Sequence, residues 1–160
     1  MSAPTEKEMT IVRIETADEA ALAQLSPLFL GYLDFYGKPA SLETVKHFLG
    51  ERLRRKQSVI HLAFIDAQAV GFMQLYPSFA SLSLAPSWIL NDLFVLPETR
   101  GRGVATALLQ SARTLAEETG AREIFLQTAR SNATAQRLYV NHGYVRDDEF
   151  LVYTLGLPRS

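Results

Sequence analysis

Cysteine is absent from this chain of 160 residues, which excludes disulfides, thiolate metal sites and a cysteine nucleophile. Long hydrophobic runs are missing too: no apolar stretch approaches the ~18 residues that a membrane span requires. Neither charge sign is in excess. A formal net charge of -1 lacks the basic balance expected of nucleic-acid proteins. Histidine is sparse, and His47, His61 and His142 are scattered without ligand spacing. No metal cluster or Ser-His-Asp arrangement is legible, so each histidine reads as structural or exposed. Two phosphate motifs are lacking. There is no Gly-x-x-x-x-Gly-Lys-Ser/Thr, and Gly101-Arg102-Gly103-Val104-Ala105-Thr106 lacks the third spaced glycine of Gly-x-Gly-x-x-Gly. The opening MSAPTEKEMT is polar, without an apolar h-region, so no signal peptide is expected. Cytoplasmic location is the default expectation.

What remains is ordinary globular composition, with 48% apolar and 21% charged residues. No repeat, low-complexity block or linker interrupts it, so one domain over residues 1–160 is expected. Ile11 to Glu15 reads as a short strand. Thr16 followed by Glu19 forms a capping-box pattern ahead of a helix from about Ala17 to Tyr36, which Pro27 should kink or split. Ser41 can cap a second helix reaching roughly Lys56. SVIHLAFID and AVGFMQLYPSF read as strands joined by a turn at Asp66-Ala67-Gln68, and SWILNDLFVL reads as a third.

Val104 to Glu118 carries apolar residues at helical spacing, stopped by Gly120. REIFLQTA reads as a strand, SNATAQRLYVNHG as a helix ended by Gly143, and DEFLVYTL as a last strand. This succession implies an α/β layered domain with some parallel pairing.

Between the strand WILNDLFVL and its following helix lies PETRGRG. The first N–H groups of a helix have no intrahelical partner, and the helix dipole adds partial positive charge there. Gly101 and Gly103 allow positive φ and keep side chains out of a ligand's way. With Arg100 and Arg102 beside them, consecutive amides make a site for a phosphate or pyrophosphate. The bland alternative is a tight turn with solvated arginines. A single RGRG inside an ordered segment is poor grounds for RNA binding. Arg52, Arg54, Arg55, Arg100 and Arg102 also lack a stacking platform for single strands.

Arg100-Gly101-Arg102-Gly103-Val104-Ala105 resembles the acetyl-CoA pyrophosphate loop of the GNAT superfamily of N-acetyltransferases. NDLFVLPE resembles that family's central strand, and SNATAQRLYVNHGY resembles its second signature, Asn-x-x-Ala-x-x-Leu-Tyr followed by Gly-Phe/Tyr. The likeness covers about Trp88 to Leu155.

It implies a mixed, largely antiparallel sheet with a splayed central strand pair and about four helices. It also implies direct transfer of acetyl from acetyl-CoA to an amine. On this resemblance, backbone groups of Leu93, Phe94 and Val95 pair with the pantetheine arm. An N–H of Phe94 or Val95 steadies the developing oxyanion. Amides from Arg102 through Gly103, Val104 and Ala105 to Thr106 hold the pyrophosphate, and Asn132 contacts the cofactor.

Tyr139 maps onto the general acid, since a thiolate leaving group with pKa near ~8.5 gains from a nearby phenol proton. Its bland role is packing beneath its own helix. An alkyl ammonium must lose a proton before attack, and Asp92 is the leading base candidate. Asn91 stands where several relatives carry an acid, and strand alternation puts Asn91 and Asp92 on opposite faces. Tyr32, Asp34 and Tyr36 could form a cation-friendly acceptor pocket, or simply pack the first helix. Asp147-Asp148-Glu149 reads as an acidic solvated turn. The expected activity is acetylation of a primary amine, on a small molecule such as a polyamine or amino acid. The alternatives are a non-catalytic acyl-CoA sensor and acetylation of a peptide lysine. Members of this family are often dimers.

Overall fold

The computed structural model describes residues 10–159. The stretch in which no signal peptide is expected lies, apart from Thr10, outside the described residues. The chain divides into two compact units, one ending at Gln127 and the other beginning at Thr128.

The first unit is built on a five-stranded sheet in the order β1-β2-β3-β4-β5. Its strands are β1 (Val12–Thr16), β2 (Val59–Ile65), β3 (Gln68–Ala80), β4 (Ala85–Val95) and β5 (Ile124–Phe125). The first four pair antiparallel, whereas β4 and β5 run parallel. Every residue from Ile60 to Ile65 is buried, because β2 is covered on both faces. On one face Ile60, Leu62, Phe64, Phe72 and Phe94 meet Leu25, Leu28 and Phe29 of α1 (Leu22–Phe35) and Val45 and Leu49 of α2 (Leu42–Arg54). On the other lies α3 (Val104–Glu118), whose Val104, Leu108, Leu109 and Ala112 are buried. Full burial of each such side chain is worth about 1.5–3 kcal/mol.

His61 belongs to the α3 face, with Nδ1 2.8 Å from Ser111 Oγ. The Ser111 hydroxyl spends its one hydrogen on Leu108 O at 2.7 Å, so it accepts from His61, and Nδ1 carries the proton. Burial pushes the His61 pKa down.

The first helix starts later than its capping pattern suggests. Thr16 is held in β1 opposite His61, and Ala17 N–H donates to Ile60 O at 2.8 Å. The ladder therefore continues through the residues a capping box would need. A single 3-10 turn at Glu19–Ala21, without a side-chain cap, leads into α1. The helix runs through Pro27 without a break, so the division falls ahead of the proline rather than at it. Ser41 caps α2 as read, its Oγ accepting from Thr44 N–H at 3.1 Å. The strand expected over REIFLQTA shrinks to Ile124–Phe125.

The second unit contains α4 (Ala133–Asn141). No strand forms over the DEFLVYTL segment. Asp147 Oδ1 accepts the N–H groups of Glu149 and Phe150, at 2.8 and 3.4 Å. That local turn takes up two backbone donors that a strand would have offered to a neighbour.

Candidate active site

The third and fourth strands carry an irregularity that shapes the site. Gln74 pairs with Asp92 but Leu75 pairs with Leu90, so Asn91 is an extra residue, a β-bulge in β4. Pairing of β4 with β5 ends just before it, at Ile89 opposite Phe125. Beyond that point β5 gives way to irregular chain, and among the described residues, 90–95 have a strand partner only on the β3 side. It is along residues 90–95 that the resemblance implies a parting of the central strands.

Alternation decides which amides face the open edge. Leu96 N–H donates to Val70 O at 2.8 Å. A Cβ placed on Gly71 would lie 2.8 Å from the Phe94 carbonyl oxygen, so Phe94 and Leu96 both turn toward β3. Leu93 and Val95 therefore direct N–H and C=O to the opposite edge. Of the two candidate oxyanion donors, Val95 is the one aimed outward.

The bulge also alters the reading of the two polar residues. Asn91 is exposed and Asp92 only 5% exposed, yet the bulge lets them meet rather than diverge. Asn91 Nδ2 donates to Asp92 Oδ1 at 3.1 Å. Gln74 Nε2 donates to the other oxygen, Oδ2, at 2.7 Å. Gln74 and Asp92 are cross-strand partners two residues along from Phe72 and Phe94, so Asp92 lies on the face that α1 and α2 cover. Tyr76 shares that face. Burial, and secondarily the Asp92 carboxylate, push its phenol up to about 12 against a smaller opposing pull from Arg52. It is neutral at physiological pH. The sequence reading passes over Gln74, whose signal is a lone amide inside the apolar run GFMQLY.

At the end of β4, a 3-10 turn at Pro97–Thr99 leads to Gly101 and Gly103, with φ of +76° and +82°. An added Cβ would meet nothing within 4 Å at either position. Backbone conformation, not crowding, asks for glycine there. Gly103 is the N-cap of α3 and no side chain caps the helix. As a glycine, the N-cap itself brings no side-chain oxygen to the first turn of the helix. Arg100 is exposed. Arg102 turns aside, its Nε donating to Thr10 Oγ1 at 3.4 Å. It lines a cavity of about 550 Å³ with Asp66, Gln68, Val70 and Thr99. None of residues 92–95 lines that cavity.

The proposed acceptor residues are split. Tyr32 packs against Phe29, Phe72 and Phe94 with ring centroids 5.4, 5.7 and 6.4 Å away, and Tyr36 lies 5.0 Å from Tyr32. Asp34 is exposed, and two helical positions rotate it about 200° from Tyr32. The two tyrosines are brought together and Asp34 is not.

In the second unit, Asn132 is the N-cap of α4, its Oδ1 accepting from Ala135 N–H at 3.1 Å. The Tyr139 ring sits 5.8 Å from that of Tyr144. Tyr144 N–H donates to Tyr139 O at 3.0 Å, closing the helix end. Among the described residues, no group of His, Asp and Glu could hold a metal ion, and no helix is long and apolar enough to cross a membrane.

Comparison with known proteins agrees with this geometry. The sequence pattern of the acetyltransferase (GNAT) family matches residues 24–144. An uncharacterized N-acetyltransferase, YhfO, of Bacillus subtilis (strain 168) is 41% identical over 150 residues, covering 94% of this chain and 99% of the relative. A crystal structure of a probable acetyltransferase superposes with a TM-score of 0.86 at 45% identity, covering 92% of this chain and 99% of the other. The fold is shared more distantly with aminoglycoside N-acetyltransferase AAC(6')-Iy in complex with CoA. That pair has a TM-score of 0.77 and 20% identity, over 93% of this chain and 97% of the other. The chain belongs to the acetyltransferase (GNAT) family and is an N-acetyltransferase.

Proposed function

We propose that the chain transfers acetyl from acetyl-CoA directly to the primary amine of a small molecule, in a ternary complex at the open edge of β4. The observation that carries this reading is the coincidence of three features on one strand and its exit. These are the bulge at Asn91, the loss of a β5 partner after Ile89, and the uncapped start of α3 behind two left-handed glycines. Together they suit an acyl-CoA. Leu93 and Val95 offer the amide-pairing edge for its pantetheine arm, and the loop from Arg100 and Gly101 through Thr106 offers amides to its pyrophosphate. Acetyl-CoA here is a substrate, as the family implies, and its thioester supplies the acetyl group.

The residues then divide the work. Val95 N–H is directed where negative charge grows on the thioester oxygen. Asp92 takes a proton from the acceptor ammonium, leaving a nitrogen lone pair to attack the carbonyl carbon. The C–S bond breaks as the amide forms, and the second proton shed by nitrogen restores the Tyr139 phenol once Tyr139 has protonated the sulfur. Tyr139 supplies a proton to the departing sulfur, a role carried by its place in the second signature, as is the cofactor contact of Asn132. The family pattern runs across the boundary at Gln127, which supports both units acting as one domain. Tyr32 and Tyr36 present aromatic faces that suit an ammonium, and the aminoglycoside enzyme of the same fold supports a small acceptor.

The test is CoA release from acetyl-CoA across polyamines, L- and D-amino acids, aminoglycosides and basic peptides. Turnover confined to small amines is expected. Turnover on peptide lysines alone would replace the small-molecule reading, and acetyl-CoA binding without turnover on any amine would favour a sensor.

A further inference from the structure

Gln74 is 0% exposed in the middle of β3, beside the buried carboxylate of Asp92. Its amide is half satisfied. Nε2 donates to Asp92 Oδ2 at 2.7 Å, while Oε1 is buried with no hydrogen-bond partner among the described residues. A buried carbonyl left unpaired is a net loss of stability. The side-chain hydrogen bond that the described residues give Gln74 is the one to Asp92.

That contact has a directional consequence. The two Asp92 oxygens have unlike neighbours: Oδ2 meets the fully buried Gln74, and Oδ1 meets exposed Asn91 of the bulge. An amide N–H can only donate to a carboxylate, so Gln74 anchors one oxygen without competing as a base. The remaining oxygen is turned toward the bulge, beside a side chain that solvent or an acceptor can displace. The Tyr76 phenol is neutral, and Arg52 of α2 is occupied, its guanidinium over the Phe48 ring at 4.6 Å and Nε donating to Gln57 Oε1 at 2.8 Å.

We infer that Gln74 is a positioning residue for acetyl transfer, fixing the Asp92 carboxylate so that Oδ1 meets the acceptor's proton. This rests on Asp92 being the base. The experiment is a double-mutant cycle with Gln74→Met, Asp92→Asn and both together, following kcat, acceptor KM, acetyl-CoA affinity and Tm. Methionine keeps the length of glutamine and removes both the donor and the orphaned carbonyl. Gln74→Met should lower kcat about 10-fold or more with acceptor KM and acetyl-CoA affinity held, and should lower Tm, because the buried Oδ2 of Asp92 loses its donor. In the Asp92→Asn background it should lower kcat no further. Full kcat in Gln74→Met, or an additional loss in the double variant, would overturn the inference. Failure of both Gln74→Met and Gln74→Leu to fold would make the residue structural and overturn it too. If Asp92→Asn alone keeps full turnover, the base assignment fails instead.

Discussion

Asp92→Asn is expected to lower the acetylation rate by about 10²–10⁴-fold, the usual worth of a positioned acid–base group. Acetyl-CoA affinity and Tm should stay near those of the parent protein. The expectation follows from where the carboxylate sits. It lies next to the β4 bulge, on the face covered by α1 and α2, with each oxygen held by one amide. Asparagine keeps the size and can still accept from Gln74, so folding has little to lose. What disappears is a group able to take a proton from an ammonium whose pKa is near ~10.4. Calorimetric titration of acetyl-CoA and a turnover assay on the same preparation separate the two effects. Unchanged turnover would remove Asp92 from the chemistry.

Gly103→Asp should weaken acetyl-CoA binding at least about 100-fold, the equivalent of ~2.8 kcal/mol, and leave the protein folded. Gly103 occupies φ +82° at the N-cap of α3, with open space where a Cβ would go. The left-handed backbone costs a side chain about 1–2 kcal/mol. An aspartate at an N-cap returns ~1 kcal/mol by accepting from the helix's first amides. Those amides are the ones offered to the pyrophosphate. A carboxylate there both occupies them and opposes the ligand's charge, at about 4 kcal/mol for two unit charges 4 Å apart in a surface-like dielectric. A comparable acetyl-CoA affinity in folded Gly103→Asp would sink the loop assignment.

Local chemistry was the part of this protein most legible from sequence. Gly101 and Gly103 announce positive φ, Ser41 announces a cap, and the spacing from Val104 to Glu118 announces its helix, because each depends on residues a few positions apart. Properties belonging to two strands at once were not legible. The bulge at Asn91 exists only relative to Gln74 and Leu75 of β3. Strict alternation therefore separated Asn91 from Asp92 when the fold joins them, and it left Phe94 and Val95 undecided. Competition between local and distant partners explains the other departures. The ladder to β2 took Thr16 and Ala17 from the helix that a capping pattern proposed. The side chain of Asp147 took amides from the strand that an apolar alternation proposed. Helical rotation separated Asp34 from Tyr32 and Tyr36, which adjacency in sequence had grouped.

The central claim is direct attack by the acceptor on acetyl-CoA while both are bound along β4. Its most direct test is the initial rate with both substrates varied, using whichever amine the enzyme turns over. Direct transfer predicts reciprocal plots that intersect, with CoA released only when the amine is present. Parallel plots, together with a protein mass raised by one acetyl group after acetyl-CoA alone, would establish a covalent relay through the chain and contradict this account.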